Sequence, residues 1–239
     1  MRLTYYGYNA FSIEATKTVI VDPGQDLHWR RIGSLLPRST WPKADLILVT
    51  HGDADHAEYV PHVARASGAP VVCGLPLAER WRRKGIAVVP LAVGERVQVT
   101  GVPVEGIAVR HGGLTLMLFG HTLMFKPASV GVGAIGLSFT LEGRRFLNLG
   151  DTLLLDDRSA WRELHPDVLM VPIGGMMTMD VDDALRAVEI VAPRNVIPMH
   201  HNWDILFYHR PADVARFAEG ARALGCQCFP LEPGESVEL

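Results

Sequence analysis

The sequence predicts an α/β protein whose two halves interlock in a single domain over residues 1–239. Three observations predict it. Short β-rich runs open the chain, strand and helix patterns then alternate, and the same rhythm recurs in the second half. No linker or low-complexity tract separates the halves, and 239 residues can bury a large core as one unit. Metal-ligand side chains fall at the ends of four separate strands, where loops build sites on a rigid scaffold.

In chain order, Leu3–Gly7, Ala10–Glu14 and Thr18–Val21 read as an antiparallel meander broken at Tyr8-Asn9 and Ala15-Thr16-Lys17 and stopped by Asp22-Pro23-Gly24. The stretch 25–43, with His28, Trp29, Arg30, Arg31 and Trp41, has no clean period and reads as a long loop, either a lid or plain surface packing. Ala44–Val49 is a buried strand, and Ala54–Ser67 fits a helix ended by Gly68-Ala69-Pro70. A strand at Val71–Cys73, a helix at Leu75–Lys84 closed by Gly85, and a strand at Ala87–Val89 follow. Strands at Val97–Val99 and Val102–Val109 lead to Arg110-His111-Gly112-Gly113. Residues 116–125 are apolar apart from His121 and Thr122, and 126–136 are rich in glycine and small residues. Strands at Ile135–Leu141 and Arg145–Leu149 run into Gly150-Asp151-Thr152. A strand at Asp167–Pro172, a helix at Val181–Val191 and a strand at Asn195–Met199 end at His200-His201. A helix over Pro211–Leu224, with Pro at its start and Gly225 after its end, and a core strand at Cys226–Phe229 complete the chain.

Composition excludes several classes of function. A hydrophobic content of 48% with 21% charged residues belongs to a globular, not a disordered, chain. A net charge of -3 gives no reason to expect nucleic acid as a partner, and Arg80, Arg82, Arg83 and Lys84 read as the solvated face of a helix. No apolar run is long enough to span a bilayer, and Met1 leads into strand-like sequence without a signal-peptide pattern, so cytoplasmic residence is expected. Cys73, Cys226 and Cys228 form no Cys-x-x-Cys pair and read as small buried hydrophobes.

The chemistry concentrates in Thr50-His51-Gly52-Asp53-Ala54-Asp55-His56, which follows the apolar run Leu46-Ile47-Leu48-Val49. Two imidazoles and two carboxylates at this density repel or desolvate one another in a folded loop unless a cation neutralises them. His111, Asp151 and His200 close three other strands and can join them.

The loop after a strand, the later lone His111, Gly150-Asp151-Thr152 and Pro198-Met199-His200 together resemble the metallo-β-lactamase fold superfamily, whose usual first motif is His-x-His-x-Asp-His. Pro172-Ile173-Gly174-Gly175, Thr178-Met179 and Ile197-Pro198-Met199-His200 are most similar to its small metal-dependent hydrolases, near the ascorbate-phosphate lactonases and the phospholipase D-like members. The resemblance implies a four-layer αβ/βα sandwich with two central mixed sheets and two divalent ions in the groove between them. It assigns one ion to His51, Asp53 and His111 and the other to Asp55, His56 and His200, with Asp151 bridging. Hydroxide generated on the metal pair would then attack an ester, lactone or phosphodiester, and Asp55 would orient or deprotonate that nucleophile.

Asp53 departs from the resemblance, standing where a second histidine is usual. As a ligand it raises the carboxylates around the ions to three, with Asp55 and Asp151, and moves preference from zinc toward manganese or iron. If it points away, the site holds one ion or is degraded. His121 and His201 are candidate substrate-binding residues. His62 reads as a surface residue, His165 as a cap before Pro166, and Lys126 either as a phosphate counter-charge or as solvated. Trp29, Met176, Met177 and Trp203 could form an apolar rim. The expected function is metal-dependent hydrolysis of a small molecule, by a chain free to form a homo-oligomer. The alternatives are an iron-dependent oxidoreductase on the same fold and a non-catalytic metal-binding or interaction protein.

Overall fold

The computed structural model describes residues 1–24, 41–118, 121–157, 159–201, 204–205, 208–209 and 212–239, with the backbone alone over 114–118, 121–125, 160, 204–205 and 208–209. Strands β1 (Arg2–Gly7), β2 (Ala10–Glu14), β3 (Thr18–Val21) and β4 (Leu46–Val49) precede helices α1 (Ala54–Ala57) and α2 (Val60–Ser67). Then come β5 (Val71–Gly74), α3 (Leu75–Arg82), β6 (Val88–Leu91), β7 (Arg96–Val99), β8 (Val102–Ile107), β9 (Leu114–Leu118) and β10 (His121–Phe125). The second half continues with β11 (Gly136–Leu141), β12 (Arg144–Asn148), α4 (Ser159–Arg162), β13 (Val168–Pro172), α5 (Val181–Val191) and β14 (Asn195–Met199). It ends with β15 (Asp204–Ile205), β16 (Tyr208–His209), α6 (Val214–Ala223), β17 (Gln227–Cys228) and β18 (Ser236–Glu238).

Two seven-stranded mixed sheets result, ordered β18-β1-β2-β3-β4-β5-β6 and β17-β14-β13-β12-β11-β8-β7. Each joins an antiparallel part to a parallel one: β3 to β6 run parallel in the first, and β12, β13, β14 and β17 in the second. Side-chain alternation along the strands builds the layers. Val19, Val21, Leu46 and Leu48 face inward and meet Val104, Phe139, Phe146, Met170 and Ile197 of the other sheet. Their neighbours Ile20, Ile47 and Val49 face outward onto Val60, Val63, Leu77 and Trp81 of the first helical layer. Leu169 and Val171 likewise face α5 and α6 through Ala184, Val188, Phe217 and Ala221. Strands buried on both faces read as unbroken apolar runs, which is why β4 and β13 stood out in the sequence. The order helix, sheet, sheet, helix is the expected sandwich.

The antiparallel opening, the alternation and most strand positions match the sequence reading. The single helix expected over 54–67 is instead two. The Tyr59 N–H donates to Pro23 O rather than to the carbonyl one turn back, and Pro61 has no N–H to give. Strands β9 and β10 pair as a separate antiparallel unit that the apolar character of this stretch did not disclose. Strand β18 returns the end of the chain to β1, pairing Leu3 with Val237. The final long helix begins at Val214 with Asp213 as its cap, and the expected Pro211 start lies outside the described residues. The same holds for residues 25–40 of the lid-or-loop stretch and for Trp203. All three cysteines are free and buried. Among the described residues no helix is long and apolar enough to cross a membrane.

Candidate metal centre

The carboxyl ends of the strands converge on one edge of the sandwich, where open α/β sheets place their ligands. The loop after β4 delivers His51, Asp53, Asp55 and His56. Residues following β8, β12 and β14 deliver His111, Asp151 and His200. Around one position, the Asp53 carboxylate lies 3.6 Å from His51 Nε2 and 3.5 Å from His111 Nε2. Around the other, Asp55 lies 3.4 Å from His56 Nε2 and 3.5 Å from His200 Nε2. Asp151 stands between the two positions, 3.3 Å from His56 Nε2, 3.1 Å from His200 Nε2 and 3.8 Å from His111 Nε2. Two donors held at about 2.1 Å by one tetrahedral ion lie ~3.4 Å apart, so these separations suit shared cations.

The histidine tautomers point the same way. His56 donates from Nδ1 to Asp22 at 2.7 Å, and His111 donates from Nδ1 to the Gly112 carbonyl at 2.7 Å. The Thr50 hydroxyl donates to Asp22, so it can only accept, at 3.1 Å, from His51 Nδ1. Each ring therefore turns its other nitrogen inward, and the Nε2 atoms of His51, His56 and His111 are buried without a hydrogen bond, as is Asp151 Oδ1. Buried nitrogens and carboxylate oxygens facing one another in this way are costly unless a proton or a cation lies between them. The donor set fits divalent metal, with outer partners that orient the ligands.

Electrostatics within the cluster follow from the same crowding. Burial alone would lower His200, but the Asp151 carboxylate, with Asp55, raises it to about 9. Burial is likewise outweighed at His56, which Asp151, Asp55 and Asp22 carry well above the ordinary value, and at His111, raised by Asp53 and Asp151. His51 goes the other way, lowered by burial and by the neighbouring His56. Burial would raise the carboxylates, yet His111 and His51 hold Asp53, His56 and His200 hold Asp55, and His200 and His56 hold Asp151 below the carboxylate range.

Several residues around the donors gave no functional signal in sequence. Asp22, read as a strand stop within the stretch that the resemblance covers and given no role at the site, is fully buried with φ 42° and accepts from Asn9 Nδ2 at 2.6 Å and Thr50 N at 2.7 Å as well as from His56. A carboxylate closing a buried strand beside the main metal loop was the available clue. The Gly131 N–H holds Asp53 through both oxygens, at 3.0 and 3.2 Å. Gly131 has φ +64°, and a Cβ there would lie 2.6 Å from the His111 ring, so glycine is required.

The other candidates separate. His121 begins β10, and its side chain lies outside the described residues. His201 is packed beside Tyr5, ring centroids 5.7 Å apart, and burial drives its imidazole down to about 4. Its ring thus sits against the core between the sheets. His62 and His165 are exposed. Lys126 is exposed and donates to the His111 carbonyl at 3.2 Å. Met176 and Met177 pack with Tyr8 and Val130, an apolar group that includes two of the expected rim residues.

Two mixed sheets packed face to face between helices, with seven donors gathered from both at one edge, define a metalloprotein of the metallo-β-lactamase fold. Residues 2–200 match the Beta-lactamase superfamily domain. The chain belongs to that superfamily and, within it, to the UPF0173 metal-dependent hydrolases. It is 34% identical over 242 residues to the UPF0173 metal-dependent hydrolase of Carboxydothermus hydrogenoformans, covering 100% of both chains. To that of Archaeoglobus fulgidus it is 32% identical over 240 residues, covering 100% of this chain and 99% of the relative. Igni18, a novel metallo hydrolase from the hyperthermophilic archaeon Ignicoccus hospitalis, has a similar structure with TM-score 0.81 and 25% identity, covering 99% of this chain and 97% of that one.

Proposed function

We propose that this chain hydrolyses an ester, lactone or phosphodiester bond of a small molecule at a site of two divalent ions. His51, Asp53 and His111 would hold one ion and Asp55, His56 and His200 the other, with Asp151 placed to serve both. The observation that carries this reading is the set of inward, unbonded Nε2 atoms of His51, His56 and His111 facing Asp53, Asp55 and Asp151. When bound, the ions polarise the scissile carbonyl or phosphoryl oxygen and lower the pKa of an attacking water. Asp55, held as a carboxylate by His56 and His200, can only accept a proton, and it would orient the attacking water and take that proton. The outward bonds of His51, His56 and His111 keep their rings turned inward throughout. Three carboxylates make the donor set hard, which favours manganese or iron over zinc.

The test is a panel of chromogenic phosphodiester, lactone and ester substrates assayed with zinc, manganese and iron, with oxygen uptake followed in parallel. Hydrolysis without oxygen consumption, abolished by His51→Ala and by Asp151→Asn, is expected. Turnover that survives both substitutions overturns the assignment, and metal-dependent oxygen consumption would replace hydrolysis with the oxidative alternative.

A further inference from the structure

We infer that Asn9 and Asn148 form a buried amide clasp that positions a metal ligand from each half of the chain, His56 from the first and Asp151 from the second. The inference rests on the metal-binding reading above. Both side chains are fully buried, and neither belongs to the donor set. They bond reciprocally: Asn9 Nδ2 donates to Asn148 Oδ1 at 3.1 Å, and Asn148 Nδ2 donates to Asn9 Oδ1 at 2.8 Å. The clasp lies at the interface between the sheets, since Asn9 precedes β2 and Asn148 ends β12.

Each partner then spends its remaining capacity toward the metal donors. The second Asn9 Nδ2 proton goes to Asp22 Oδ2 at 2.6 Å, the same oxygen that accepts from His56 Nδ1. Asn148 Oδ1 also accepts from Gly150 N at 2.8 Å, fixing the turn that presents Asp151. Asn148 Nδ2 reaches Met170 Sδ at 3.3 Å as well. A continuous path of hydrogen bonds therefore runs His56, Asp22, Asn9, Asn148, Gly150, and ends beside Asp151. Two amides buried at an apolar sheet interface are costly there, and apolar residues would fill the space. Their bonds beyond the pair lead to a ligand's partner and to a ligand's turn, which is what a positioning role requires. Asn9 and Asn148 touch no reacting atom and are positioning residues.

The test measures manganese and zinc affinity by competition with a chromophoric chelator, beside thermal melting of the metal-free protein. Asn9→Ala and Asn148→Ala are expected to bind metal about 10–100-fold more weakly than the unaltered chain. Phe217→Leu, which loosens the outer helical layer remote from the clasp, is the control for lost stability and is expected to keep its affinity. The double variant Asn9→Leu with Asn148→Leu fills the space with apolar groups of similar size, so it is expected to fold yet to bind metal as weakly as the alanine variants. It also carries the test if the alanine variants do not fold. Unaltered affinity in the double variant, or in either alanine variant, overturns the clasp. So does a loss that Phe217→Leu matches at equal destabilisation. Failure of the unaltered chain to bind metal instead sinks the proposed function.

Discussion

At the scale of single residues, the proposed two-ion centre turns on Asp53. It lies between the Nε2 atoms of His51 and His111 and is held from behind by Gly131 N, so its carboxylate is built into the site rather than turned out of it. Asp53→Ala is expected to lose one ion of the pair and at least about tenfold in affinity for what remains. Asp53→His is expected to move preference from manganese or iron toward zinc, read by elemental analysis after growth with mixed metals. The raised histidines give a second expectation with two opposite signs. Burial would lower His200, but the Asp151 and Asp55 carboxylates push it up to about 9, above the ordinary 6.5 of the unfolded chain. Its contribution to the metal-free fold is therefore complete below that unfolded value and lost as pH rises through about 9. Metal needs the same imidazoles neutral, so affinity rises over that range and uptake at neutral pH releases protons. Calorimetric titrations in buffers of different ionisation enthalpy, and melting of the metal-free protein at neutral and alkaline pH, check the two slopes. The residues that converge at the site were legible in sequence because they cluster at strand ends. Asp22 and Asn9 were not, because a buried carboxylate and amide acquire meaning only through partners distant in the chain, Thr50, His56 and Asn148.

At the scale of elements, the site depends on turns that approach it closely. Gly131→Ala would place a methyl 2.6 Å from the His111 ring at φ +64°, so both the ring and the Asp53 bond must shift. The expected result is weakened metal binding with little change in the secondary structure seen by circular dichroism. Asp180, which caps α5 by accepting from Asp183 N at 2.9 Å, is the contrasting case. Asp180→Ala is expected to cost about 1 kcal/mol in thermal unfolding and to leave turnover unchanged. The helices and parallel strands were legible through their periods and continuous apolar runs. The break between α1 and α2 was not, because the Tyr59 N–H finds Pro23 O, a partner supplied by a different loop. The β9–β10 pair hid in a stretch whose apolar residues show neither period clearly.

At the scale of the whole molecule, the first sheet carries His51, Asp53, Asp55 and His56, and the second carries His111, Asp151 and His200. Bound ions would therefore bridge the two sheets and stabilise the sandwich as a whole. At a hundredfold excess over the dissociation constant this linkage is worth about 2.7 kcal/mol, so chelation should lower the melting temperature reversibly. The proposed two-ion centre is tested by the number of ions per chain, counted by native mass spectrometry after loading with manganese or zinc. Two ions on the unaltered chain and one on Asp53→Ala are predicted. A single ion on the unaltered chain, or none, would contradict the two-ion centre.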